Sequence, residues 1–196
     1  RPVTGLVVAV ALLASLPATS VAQSAPEAPT TQDVRVAMSD GVELEVRLAA
    51  RGAGFDDLSP RPGIGEVSPY NETCCVEVAG PEFAYVKVHI RGTGASAGSF
   101  DALGPRTQQD VAEVLDWVCD QPWSNGRTGL VGFSASAIAI YNSLHLELPC
   151  VETAVLMSGT FELYRDLLYP GGIPNAAPAL AVLLGIGGPA LSTTPE

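Results

Sequence analysis

The stretch Thr128-Gly129-Leu130-Val131-Gly132-Phe133-Ser134-Ala135-Ser136-Ala137-Ile138-Ala139-Ile140-Tyr141 changes character in its middle. Residues 128–131 form a short apolar run bounded by glycine and read as a buried strand. Residues 137–146 read as a helix. Between them, Gly132-Phe133-Ser134-Ala135-Ser136 approximates the Gly-x-Ser-x-Gly pattern of a nucleophile elbow, with Ser136 where the last glycine belongs. A serine on such a strand-to-helix turn presents its hydroxyl at the carboxyl edge of a sheet. There the next backbone N–H and the positive helix end favour a developing oxyanion. Taken alone the pentapeptide occurs by chance in many chains, so its neighbours must carry the weight.

Working outward, strands and helices alternate. Residues 34–38 and 42–48 flank Ser39-Asp40-Gly41, a hairpin signal. A Gly/Pro-rich loop follows over 52–62, then a weak strand over 63–67 that carries two glycines. Residues 83–90 form a stronger strand. Residues 105–119 place Val111, Val114, Leu115 and Val118 at helical spacing behind Pro105, a favoured first helical residue. Another strand follows the elbow helix at 151–157. Short continuous apolar strands alternating with helices predict an α/β fold around a mostly parallel sheet. No internal repeat is visible.

Composition narrows the function classes. The 196 residues fit one domain or part of a larger one, and 47% of them are hydrophobic, ample for a core. The net charge is −11 and Lys87 is the only lysine, which argues against nucleic acid and anionic membrane surfaces as partners. Near the amino end, Arg1 precedes an apolar run over residues 6–16, then Pro17 and the small-x-small Ser20-Val21-Ala22. Residues 1–22 therefore read as an export signal, with a membrane-anchored amino terminus as the alternative, and 23–32 as a disordered lead-in. The expected location is secreted or extracytoplasmic, with no stable membrane span once the signal is removed.

In that oxidising setting, Cys74, Cys75, Cys119 and Cys150 allow three disulfide pairings. Cys119 ends a helix and Cys150 precedes a strand, which favours joining those two at the amino edge of the sheet. The spacing does not fit a paired C-x-x-C zinc site, and no metal or cofactor is expected. Asn71-Glu72-Thr73 matches a glycosylation sequon, a tripeptide that also arises by chance.

The ordered set Asp40-Gly41-Val42, Ser68-Pro69-Tyr70, Arg91-Gly92-Thr93-Gly94-Ala95-Ser96-Ala97-Gly98, Asp116-Trp117, Gln121-Pro122-Trp123-Ser124-Asn125-Gly126, Gly132-Phe133-Ser134 and Leu163-Tyr164-Arg165-Asp166 resembles the CocE/NonD serine hydrolases. That group includes cocaine esterase and the Xaa-Pro dipeptidyl-peptidase (S15) catalytic domain. The resemblance covers roughly residues 33–175, the amino-terminal portion of such an enzyme. It implies an α/β-hydrolase fold whose helical cap begins over residues 176–196, where the chain is expected to be truncated. It also implies that the group's jelly-roll domain falls outside these residues.

Carried over by position, Ser134 matches the nucleophile. Ala135 supplies a backbone N–H to the oxyanion hole and Tyr70 supplies a hydroxyl. Ala135 stands where the group usually has tyrosine, and Ala137 where it has glycine. Without the resemblance, Tyr70 after Ser68-Pro69 reads simply as a turn cap. The glycine-rich run 91–98 lacks the Gly-Lys-Ser/Thr ending of a phosphate loop and reads as a flexible structural loop. Trp117 and Trp123 read as packing aromatics, and Arg165 and Asp166 as a local pair.

An enzyme of this type needs an acid and a histidine after the nucleophile. His145, eleven residues on, stands about 16 Å away along a helix axis. His89 precedes Ser134 and reads as a packed strand histidine. The acid and histidine are therefore expected beyond residue 196. These observations lead to an exported serine acyl hydrolase acting on a small ester, an amide or a short peptide, with this stretch alone inactive. Xaa-Pro dipeptidyl-peptidase activity and a non-catalytic binding domain of hydrolase descent are the alternatives.

Overall fold

The computed structural model describes residues 28–52, 54–57, 59–73, 76, 79–148 and 150–177. The expected export signal, Cys74, Cys75 and most of the expected cap segment lie outside the described residues. Six strands form one sheet in the order β1-β2-β4-β3-β5-β6. They are β1 (Thr30–Ala37), β2 (Glu43–Ala50), β3 (Arg61–Ser68), β4 (Ala84–His89), β5 (Ser124–Phe133) and β6 (Val151–Met157). The pairs β1–β2 and β2–β4 are antiparallel, whereas β4–β3, β3–β5 and β5–β6 are parallel.

Several boundaries differ from expectation, among them that of β5, which begins at Ser124 and not at residue 128. Strand β1 begins at Thr30, so the last three residues of the expected lead-in pair with Ala50, Ala49 and Leu48. Strand β3, the weak one by sequence, lies buried between β4 and β5. Its glycines are what permits the close approach: a Cβ at Gly63 would lie 3.1 Å from Thr128 Oγ1, and one at Gly65 3.0 Å from Leu130 Cδ2. A neighbouring strand's side chains fill the space that glycine leaves.

Helix α1 (Pro105–Cys119) follows β4 and α2 (Ala135–Ser143) follows β5. Helix α1 turns Val111, Val114, Leu115 and Val118 inward to join Val67, Val86, Val88 and Leu130 in the main core. Each such burial stabilises the fold by roughly 1.5–3 kcal/mol. Its amino end is capped from a distance: Asp101 accepts the N–H groups of Gly104, Arg106 and Thr107 at 3.0–3.2 Å. The hairpin turn is tied to α1 by Arg91, bonded bidentately to buried Asp110 and paired with Asp40 at 3.1 Å. Trp123 packs edge-to-face on Phe55, with Trp117 partly buried at the core margin.

The run 91–98 is not the flexible loop its glycines suggest. Gly92 N–H donates to Ala97 C=O at 3.0 Å, Ala97 N–H to Glu43 C=O at 2.9 Å, and Ser96 Oγ to His89 C=O at 2.7 Å. Those bonds close it against β2 and β4. Arg165 and Asp166 do not pair with each other; Asp166 instead accepts from the Thr160 hydroxyl. Cys119 and Cys150 form a disulfide with a Cα–Cα separation of 6.1 Å, at the amino edge of β5 and β6. Among the described residues, no helix is long and apolar enough to cross a membrane.

The sheet's other face is covered unevenly. Tyr85, Ala49 and Ala79 form a small second cluster with Ile64, Phe83 and Val131. Over β5 and β6, a groove of about 690 Å³ runs along that face among the described residues and includes Ile64, Val131, Val155 and Met157.

Candidate active site

Parallel neighbours β3 and β5 set the site, because their carboxyl ends lie side by side. The chain leaving β3 leads through Pro69 to Tyr70, and the chain leaving β5 turns at Ser134 into α2. Strands β4 and β5 continue to opposite sides of β3, the kind of switch point where α/β sheets bind ligands.

Ser134 has φ 56° and ψ −120°, a strained conformation for a residue with a Cβ, costing on the order of 1–3 kcal/mol. Surrounding bonds hold it there. Its N–H donates to Met157 C=O at 2.9 Å, and its C=O accepts from Ile138 N–H at 3.0 Å, opening α2. Gly132 makes the bend feasible, since a Cβ there would sit 2.7 Å from the Ala137 nitrogen. Ala135, Ser136 and Ala137 are buried under the turn. Small side chains thus suffice at positions 135–137 for the helix to approach the sheet. The Ser134 side chain is half-buried, and its Oγ makes no hydrogen bond among the described residues.

Across the gap, Tyr70 Oη lies 3.4 Å from the Ala135 nitrogen. An oxygen about 2.9 Å from each group closes a triangle on that base, within the 2.7–3.1 Å range an oxyanion hole requires. Tyr70 packs its ring on the main core while its N–H donates to Ser68 Oγ at 3.2 Å. Ser68 Oγ also accepts from Ser136 Oγ at 2.9 Å. A small cavity of about 150 Å³ opens here, lined by Glu66, Tyr70, Glu72, Thr73, Phe133 and Ser136.

The structure therefore brings Ser134, Ala135 and Tyr70 together, and among the described residues neither histidine is hydrogen-bonded to them. His145 is exposed, beyond the far end of α2. His89 is buried against Glu45, with Nε2 3.8 Å from a carboxylate oxygen, and its Nδ1 finds no partner among the described residues. Burial pushes its pKa below the ordinary value; Lys87 acts the same way and Glu45 opposes it. Among the described residues, no group of three His, Cys, Asp or Glu side chains could hold a metal ion. Sequence reasoning missed Ser68, Glu66 and Lys87 around the cavity. The signal for the last was the near-continuous apolar run around it, which marks a central strand covered on both faces.

A doubly flanked hairpin leading into a parallel sheet, with a strained serine at the β5–α2 turn, defines an α/β-hydrolase. The chain belongs to the X-Pro dipeptidyl-peptidase (S15) family, whose family model matches residues 14–189. It is 26% identical to cocaine esterase of Rhodococcus sp. over 168 residues, covering 79% of this chain and 28% of that protein. It is 34% identical over 95 residues to a provisionally named serine esterase of Mycobacterium bovis, covering 48% of this chain and 15% of the other. A CocE/NonD family hydrolase from Staphylococcus aureus superposes with a TM-score of 0.71 at 22% identity, over 81% of this chain and 33% of its own. The chain thus spans between about a seventh and a third of the length of these relatives.

Proposed function

We propose that the full-length protein is an exported serine acyl hydrolase, with Ser134 as nucleophile and Tyr70 and Ala135 as the two oxyanion donors. The observation that carries this reading is the strained Ser134, held beside a phenol and a backbone N–H that stand 3.4 Å apart. Ser134 Oγ attacks an acyl carbonyl, and its proton passes to a histidine. The carbonyl oxygen, now negative, is held by Tyr70 O–H and Ala135 N–H. Collapse expels the alcohol or amine, which takes the proton back from the histidine, and leaves an acyl-enzyme. Water, giving its proton to the histidine, then attacks it, and the acid leaves as Ser134 regains that proton.

The histidine and its acid come from the part of the relatives' length that this chain does not span. Neither His89, walled in by Glu45, nor His145, past the far end of α2, is placed to serve Ser134. These 196 residues alone are accordingly inactive. Ester substrates are favoured because two relatives carry esterase names. The family's own description supports an X-Pro dipeptidyl-peptidase as the second reading. Export is supported by the apolar run at 6–16 and by the Cys119–Cys150 disulfide, which suits an oxidising compartment.

A fluorophosphonate probe applied to the full-length protein should label Ser134, and Ser134→Ala should abolish labelling. Labelling that persists in the variant removes Ser134 as nucleophile. Comparing a p-nitrophenyl ester with a Gly-Pro arylamide then separates esterase from dipeptidyl-peptidase.

A further inference from the structure

Lys87 lies in the middle of β4 with 0% of its surface exposed. Removing an ammonium from water costs several kcal/mol unless its donors are satisfied, so its partners identify what the burial accomplishes. Nζ donates to the backbone carbonyl of Asn71 at 2.8 Å and to that of Glu72. These are the carbonyls of the two residues that follow Tyr70 in the chain. Glu66, the register partner of Lys87 on β3, is 1% exposed and takes the hydroxyl of Tyr85. Its carboxylate helps keep the ammonium charged against the effect of burial, which pulls the lysine pKa down.

Among the described residues, little else fixes the segment so gripped. Residues 69–73 form neither strand nor helix, and no backbone–backbone hydrogen bond to another described residue holds them. Tyr70 is anchored before its ring by Ser68 Oγ and after it by Lys87, so the phenol is aimed from both sides. We propose that Lys87 is a positioning residue, which clamps the Asn71 and Glu72 carbonyls from inside the sheet and thereby holds the Tyr70 hydroxyl at the oxyanion site. This rests on the oxyanion role given to Tyr70 above. Lys87 touches no reacting atom; it sets where the phenol stands when charge develops.

The test is a double-mutant cycle in the full-length protein, read as kcat and KM on a p-nitrophenyl ester. Lys87→Met keeps the length of the side chain and removes its donors. It should lower kcat about ten- to a hundredfold with little change in KM, since misplacing a group by about 1 Å costs up to that much. In a Tyr70→Phe background, where no hydroxyl remains to be aimed, Lys87→Met should cause no further loss. An equal loss in both backgrounds overturns the proposal, as does unchanged kcat in Lys87→Met. If Tyr70→Phe alone leaves kcat unchanged, the oxyanion reading falls and the proposal with it; a loss in Tyr70→Phe beside a silent Lys87→Met sinks only the proposal. Should Lys87→Met fail to fold, the same cycle runs on Lys87→Arg, which keeps charge and donors but alters their reach. Its smaller kcat loss should again vanish in the Tyr70→Phe background, and persistence of that loss overturns the proposal.

Discussion

The hydroxyl of Ser136 lies 2.9 Å from the hydroxyl of Ser68, joining the first turn of α2 to the end of β3. Ser136 occupies the position where an elbow pattern has glycine, and its side chain is 1% exposed. Ser68 Oγ is shared, since it also accepts the N–H of Tyr70. One oxygen at the end of β3 therefore links the helix that starts beside Ser134 to the peptide that carries the phenol. The departure from glycine is a strut between the two halves of the site.

Replacing that strut tests its weight. Ser136→Ala should destabilise the protein by about 1 kcal/mol, the usual net value of one buried hydrogen bond. Turnover should fall by less than about tenfold, because Tyr70 keeps its bond to Ser68 and its packing. Thermal unfolding and kcat measured on the same preparation check both statements. A loss beyond a hundredfold at unchanged melting temperature would mean that the Ser136 hydroxyl itself touches the reacting atoms.

Tyr70→Phe isolates the phenolic donor without disturbing the ring's packing on the core. Losing one oxyanion-hole donor costs about 10²–10³ in kcat, so turnover should drop by that factor while KM moves little. Fluorophosphonate labelling should slow in parallel, since the tetrahedral phosphorus adduct presents an oxygen to the same hole. Equal kcat in the variant and the parent would return Tyr70 to the role of a turn cap.

Much of this architecture was legible because local rules and tertiary packing agreed. The 105–119 helix was fixed by Pro105 and by valine and leucine spacing, and it spans those residues. The 151–157 strand was equally plain. The pairing of Cys119 with Cys150 followed from where a helix ends and a strand begins. Strand β3 was under-read because Gly63 and Gly65 oppose strand propensity; only the neighbouring Thr128 and Leu130 side chains show why glycine is needed. The loop 91–98 was over-read as flexible, since its hydrogen bonds run to Glu43 and His89, contacts that no local pattern reveals. The ordered motifs name Ser134, Ala135 and Tyr70 as site candidates, and the structure brings these three together. The Ser68–Ser136 bond and the Lys87 bonds are named by no motif, because they join residues 68 and 15–16 positions apart, side chain to side chain in the first case and side chain to backbone carbonyl in the second.

The Cys119–Cys150 bond should matter for stability and not for turnover. It closes a loop of 31 residues, for which chain-entropy arguments give about 3–4 kcal/mol. Its Cys150 Sγ lies 3.7 Å from Thr128 Oγ1, whereas Ser134 stands six residues further along, just past the carboxyl end of β5, about 20 Å away. Cys119→Ser together with Cys150→Ser should lower the melting temperature of the full-length protein while leaving kcat at 25 °C within about twofold. A large kcat loss in a variant that still melts cooperatively would contradict this separation.

Acid should weaken the fold through His89. Burial holds its folded pKa below the ordinary 6.5; the cations Lys87 and Arg47 act in the same sense, while Glu45 and Asp33 oppose them. Above 6.5 the ring is neutral in the folded and unfolded chains alike, so it adds no pH dependence. As pH falls below 6.5 the unfolded chain binds the proton first, and stability declines until the folded pKa is reached. The slope from this one group is at most about 1.4 kcal/mol per pH unit. The window is distinct from that of Asp33, held below 3.8 by its bond to Arg47, whose contribution is lost only at lower pH. Melting temperatures at pH 7.5, 6.5 and 5.5 should therefore fall in the parent and fall less in His89→Gln. Equal slopes in the two proteins would show that the buried ring is not what titrates.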